Sequence, residues 1–171
     1  LAGLDFGADR RAGRLTEAVA HGEAAVKLEP ANATAHFNLA FSLDRSGRPE
    51  EAAAHYREAV RLEPEAVNAH INLSTVFAKL GRFDEAAAEC ASAVRLQPDS
   101  AENQFNLAQM LFQTGKVELA IPRYEAAARL KPDSPETHYR LGNAHVKLRQ
   151  MEEAAVAYRA AVRLAPAHFE A

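Results

Sequence analysis

Asn38, Asn72 and Asn106 stand 34 residues apart, and Arg140 takes the next place in the row. An asparagine amide carries a donor and an acceptor on one flat group. It can therefore pair with the C=O and N–H of a single peptide unit without reading the side chain. Beside this row run Phe37, Ile71, Phe105 and Tyr139, and a turn further on Phe41, Thr75, Gln109 and Asn143. The chemistry these rows suit is non-covalent capture of an extended chain, with amides on its backbone and aromatic rings adding burial. Equivalent helices pack roughly 10 Å apart, and an extended chain advances about 3.3 Å per residue. One asparagine per step would then hold about every third residue of a partner.

Other chemistry is poorly provided for. His36, His70 and His138 share a column, but helices about 10 Å apart cannot bring them to one ion with Zn–N near 2 Å. They are expected to pack as flat, half-buried rings. His138 and His145 lie two helical turns apart, again too far for one metal. Cys90 is the single cysteine, so no intrachain disulfide can form, and its place suits a small buried hydrophobe. No phosphate-cradling glycine loop, paired catalytic acids or Ser-His-Asp arrangement is legible, so a non-catalytic chain without cofactor or metal is expected. Arg61, Arg95, Arg129 and Arg163 also recur every 34 residues, each where a helix C-terminus favours positive charge. A net charge of -3 gives no drive toward nucleic acid. No apolar run is long enough for membrane insertion.

The elements that must position these rows follow from the same ruler. Pro30, Pro64, Pro98, Pro132 and Pro166 are 34 residues apart. Gly13, Gly47, Gly81 and Gly115 stand 17 before the first four prolines, with Arg149 at the fifth place. Ala18, Ala52, Ala86, Ala120 and Ala154 keep the step too. Such a period marks a stack of two-helix units, each burying its apolar face on its neighbours. In the unit Val67 to Ser100, Leu73, Val76, Phe77 and Leu80 share one helical face, and Gly81 ends that helix. A second helix from about Phe83 to Leu96 carries Ala86, Cys90, Ala93 and Val94 inward, and Pro98 cannot continue it. Pro49, Pro122 and Pro135 are read as lying near helix starts, where proline is tolerated.

The unit Ala-His-Ile-Asn-Leu-Ser from Ala69, with Leu80-Gly81, Ala86, Cys90, Ala93 and Pro98, resembles the tetratricopeptide repeat (TPR). The likeness covers about residues 15 to 168. It implies an all-α fold, a right-handed superhelix of antiparallel helix pairs. The units would be 33–66, 67–100, 101–134 and 135–168, with a partial repeat over 1–32 and the start of another at 169–171. In that partial repeat, Gly3, Gly7 and Gly13 weaken the first helix, and only Leu15 to Leu28 looks intact. First helices of the family line a concave groove, so the resemblance implies a protein-interaction module whose groove holds a protein or peptide segment. The asparagine row is similar to the ladder of the TPR superhelix in O-GlcNAc transferase, which binds peptide backbones; Arg140 departs from it and could grip a carboxylate. The alternative role of those asparagines is to bond to the adjacent helix and hold the stack. The carboxylate-clamp subclass is not matched at Ile71, Thr75 and Glu136. Two other roles are compatible with the resemblance: a substrate-recruiting arm of a larger enzyme such as a glycosyltransferase, and end-to-end self-association through uncapped ends, with Val156 and Val162 partly bare.

Overall fold

The computed structural model of the chain describes residues 6–166, with side chains from residue 13 onward. Among the described residues there are nine helices and no strand. They are α1 (Phe6–Leu28), α2 (Ala33–Arg45), α3 (Pro49–Leu62), α4 (Val67–Lys79), α5 (Phe83–Leu96), α6 (Ala101–Gln113), α7 (Val117–Leu130), α8 (Pro135–Lys147) and α9 (Met151–Leu164). The class is an all-α helical repeat. Chain punctuation explains the regular bounds. Asn32, Ser100 and Ser134 cap α2, α6 and α8, their side chains accepting from the N–H of Ala35, Asn103 and Thr137. Gly47, Gly81 and Gly115 turn the chain with φ of 79, 72 and 77°. Glu63, Lys131 and Ala165, each before a proline, leave the helical region and stop α3, α7 and α9.

The helices divide into two compact units, one ending at Arg82 and the other beginning at Phe83. In the first, α1 packs on α2, α2 on α3 and α3 on α4. Leu39, Leu43, Tyr56, Leu73, Val76 and Phe77 are fully buried there, and the small Ala40 and Ala52 let the helices close. Gly22 of α1 lies against α2 so tightly that a Cβ would stand 3.0 Å from the Leu39 Cβ. The expected break at Gly13 is absent, because α1 runs through that residue as one helix of 23 residues. A glycine inside a helix weakens it by about 0.5–1 kcal/mol but does not itself turn it. Gly3 and residues 169–171 lie outside the described residues.

In the second unit α5 packs on α6, α6 on α7, α7 on α8 and α8 on α9. Ala108, Val117, Ala120, Tyr124 and Ala144 make one buried cluster; Cys90, Val94 and Leu107 make another. Gly142 permits a close helix contact, since a Cβ on it would lie 2.5 Å from the Tyr158 Cε1. Pro122 is not at a helix start but inside α7, on its exposed side. The outer helix α9 is partly bare, as expected, although only one of the two valines marks its stacking side. Val162 is 43% exposed where its equivalent Val94 is 8% exposed. Val156 is exposed because its place faces solvent in every repeat, as at Ala54, Ala88 and Pro122.

Candidate functional site

The rows fall on the first helices of the repeats: α2 and α4 in the first unit, α6 and α8 in the second. On α2, Asn38 is exposed and Phe37 half-buried, its ring standing edge-on to Tyr56 of α3 at 5.5 Å between centroids. Phe41 is 45% exposed, with the Arg45 guanidinium 5.6 Å above its ring. On α4, Ile71 and Asn72 are half-buried and Thr75 is exposed. Thr75 and Ser74 both donate to the Ile71 carbonyl, at 3.0 and 2.7 Å, so these hydroxyls are turned onto their own helix. Lys79 of α4 bonds to both carboxylate oxygens of Asp44 on α2, at 2.6 and 2.7 Å.

Asn72 has a structural duty. Its side chain is hydrogen-bonded with the Tyr56 hydroxyl, which ties α4 to α3. Burial, with Asp44 adding to it, pushes that hydroxyl up to about 12 against the pull of Asn72. The side chains of Asn38 and Asn106 make no hydrogen bond among the described residues. The asparagine row therefore splits: Asn72 helps to hold the stack, while Asn38 and Asn106 keep their amides open.

In the second unit Phe105 is half-buried and edge-on to Tyr124 at 5.7 Å, and Tyr139 leans over Tyr158 at 5.7 Å. Gln109 is half-buried. Asn143 is already engaged, accepting from the Tyr158 hydroxyl at 2.7 Å. Arg140 donates to Glu136, one turn earlier on α8, at 2.6 Å. It also faces Tyr124, whose hydroxyl is pushed up to about 12 by burial, with Arg140 opposing and Glu136 adding to the rise. A cavity of about 250 Å³ opens between α6 and α8, floored by Phe105 and flanked by Glu102, Lys131 and Glu136. The second unit thus offers an aromatic floor with charges of both signs around it.

The histidine column has a simpler logic than ring packing. His36, His70 and His138 each hold Nε2 at 3.1, 3.0 and 3.0 Å from the carbonyl of Pro30, Pro64 and Pro132. Gln104, at the fourth place, donates its Nε2 to the Pro98 carbonyl at 2.9 Å. The shared feature is an N–H at the end of a side chain of fixed reach, which clamps the inter-repeat loop. His36 and His70 are buried, not half-buried. The signal was present in the sequence as the His/Gln exchange, since those two residues share a donor and no ring. Cys90 is buried. No group of three or more metal-ligating side chains is assembled among the described residues, and none of the described helices is long and apolar enough to cross a membrane.

The helical-repeat class and the clamped 34-residue spacing invite comparison with known proteins. Three family models described as tetratricopeptide repeats match residues 40–101, 108–149 and 135–168. The chain belongs to the TPR family. A further model, the bacterial transcriptional activator domain, matches residues 4–65. Among solved structures, YrrB, described as a TPR protein with an unusual peptide-binding site, aligns with a TM-score of 0.84 at 23% identity, covering 91% of this chain and 80% of its own. MamA aligns with a TM-score of 0.85 at 20% identity, over 98% of this chain and 99% of its own. MamA from Desulfovibrio magneticus RS-1 gives 0.82 at 19% identity, over 94% and 90%. These likenesses are of fold. No curated protein matches the sequence. The chain is a TPR protein-interaction module.

Proposed function

We propose that this module is non-catalytic and that each of its two units holds extended peptide against its first helices, Asn38 and Asn72 in the first and Asn106 and Arg140 in the second lying on the partner's backbone and charges, with Phe37 and Ile71, and Phe105 and Tyr139, beneath it. Phe41 flanks the face of the first unit, and Gln109 and Asn143 that of the second. The observation that carries this reading is the pair of open amides. Asn38 and Asn106 occupy equivalent places in different units and make no side-chain hydrogen bond among the described residues, whereas the equivalent Asn72 does. The half-buried rings beside them already rest on buried tyrosines, so a partner would meet a preformed surface and little ordering cost. YrrB, whose fold is similar, is described as a TPR protein with an unusual peptide-binding site, so peptide capture is compatible with this fold.

The test begins with peptides selected from a random-sequence display library on the intact chain. Their affinities are then measured by fluorescence anisotropy. A neutral hydrogen bond contributes about 0.5–1.5 kcal/mol, or roughly 2- to 12-fold in Kd. In the double variant Asn38→Ala with Asn106→Ala, peptide binding by either unit is expected to weaken by about one such factor, with the circular dichroism unchanged. Adding Asn72→Ala should weaken it further in the first unit and also lower stability through Tyr56. Undiminished affinity in the double and triple variants refutes the backbone-capture reading.

A further inference from the structure

His55 on α3 belongs to none of the rows, yet its Nδ1 meets the Nδ1 of His36 on α2 at 3.0 Å, with ring centroids 5.2 Å apart. The Pro30 carbonyl at the other edge of His36 can only accept, so His36 Nε2 carries a hydrogen. In the neutral ring that leaves His36 Nδ1 bare, and the bond runs from the His55 Nδ1–H to it. One further proton can be added to His55 Nε2 without disturbing this bond. A second cannot, because both Nδ1 atoms would then carry hydrogens across a 3.0 Å gap and two cations would face each other.

The surroundings of His55 act on its charge in both directions. Glu23 on α1 and Glu51 on α3 favour a charged His55, but burial and then the charge of His36 act against it, and the net effect is to lower its proton affinity. Arg48 lies 2.6 Å from Glu51 and 3.9 Å from Glu23, so it shares both carboxylates. Glu58, which feels His36, is engaged by Arg61 at 2.6 Å.

We propose that the His36–His55 pair is an acid-sensitive latch on the α2–α3 hairpin, closed while it carries at most one extra proton and released by the second. Phe37 and Asn38 follow His36 directly on α2, so release disturbs the exposed face of the first unit. The second unit supplies an internal control. Gln104 clamps Pro98 as His36 clamps Pro30, but the residue 19 places on is Arg123, and after His138 it is Ala157.

The sign follows from linkage. An unfolded histidine takes its proton near pH 6.5, whereas burial and then the charge of His36 lower the proton affinity of His55 in the folded chain. Below about 6.5 the open state binds more protons, so stability falls as pH falls. The experiment is an NMR titration of the histidine ring nitrogens in the intact chain, with hydrogen-exchange protection measured from pH 7.5 to 5. The pair should titrate in two separated steps. The α2–α3 opening constant should rise by up to about tenfold per pH unit relative to α6–α7. His36→Gln, the exchange already present at Gln104, keeps a donor for Pro30 and should abolish that excess and leave His55 with one step. His55→Gln gives the same comparison should the first variant fold poorly. A single His55 step unaltered by His36→Gln, or equal acid sensitivity in wild type and variants, overturns the latch.

Discussion

Arg149 carries the turn between α8 and α9 at φ 61°, where the other hairpin turns use glycine at φ 72 to 79°. The cap itself is unchanged. Gln150 N–H donates to the His145 carbonyl at 3.0 Å, as Arg48, Arg82 and Lys116 donate to Leu43, Phe77 and Leu111 at 2.9, 2.8 and 2.9 Å. A Cβ at Gly47, Gly81 or Gly115 would meet nothing within 4 Å, so a side chain at this kind of turn is strained by its backbone and not by crowding. The left-handed conformation costs an L residue roughly 1–2 kcal/mol, and glycine gives back about 0.4–1 kcal/mol through its freer unfolded chain. Arg149→Gly should therefore be more stable than Arg149→Ala by about 1 kcal/mol. Both variants delete the same charge beside the C-terminus of α8, so the comparison cancels the dipole contribution. Repeat arrays open unit by unit, which makes local hydrogen exchange a sharper readout than one melting temperature. The α8–α9 amides of the glycine variant should open about fivefold less often than those of the alanine variant. The reciprocal Gly115→Ala should cost about the same in α6–α7. Equal protection in Arg149→Gly and Arg149→Ala, or a Gly115→Ala that costs nothing, would refute the strain reasoning.

Alkaline titration offers a second check. Tyr56 and Tyr124, both held up to about 12, should stay protonated when absorbance at 295 nm is followed past pH 10. Because their folded values lie above the unfolded value of about 10, the stability they contribute is complete below pH 10 and lost as pH rises toward 12. Titration of all four tyrosines near 10 in the folded chain would contradict their burial. Gly142→Ala forces a methyl to 2.5 Å from the Tyr158 ring, so it should cost about 1–3 kcal/mol in urea denaturation and weaken the Tyr158–Asn143 bond. A neutral Gly142→Ala would mean that α8 and α9 do not approach this closely.

The repeat was legible because it is written in residues whose backbone behaviour is nearly context-free. Prolines end helices, glycines turn them, and small alanines mark close contacts, so the ends of α4 at the Gly81 turn and of α5 before Pro98 follow from the ruler. The first unit shows where that reading stops. Gly13 keeps the ruler's place but not its consequence, since a glycine permits a turn and does not impose one when the chain continues as helix. Pro122 shows the converse, an interior proline tolerated on an exposed side where the rest of α7 holds the helix.

Side-chain duties were less legible, because they depend on what a second helix brings within reach. Asn38, Asn72 and Asn106 are alike in sequence, yet only Asn72 meets a tyrosine hydroxyl. The place of Asn72 in the last repeat holds Arg140, which turns to Glu136, while Asn143 one turn on accepts from Tyr158 of the following helix, a different contact. The histidine column makes the same point more strongly. A row of His, His, Gln and His reads as imperfect aromatic packing until the proline carbonyls appear opposite it. It then becomes a uniform row of donors, and the substitution that looked anomalous identifies the function of the others. It follows that replacing His70 by phenylalanine should harm the fold more than replacing it by glutamine, because the first keeps the ring and loses the bond to Pro64. A phenylalanine variant as stable as the glutamine one would show that shape, and not the donor, is what the column selects.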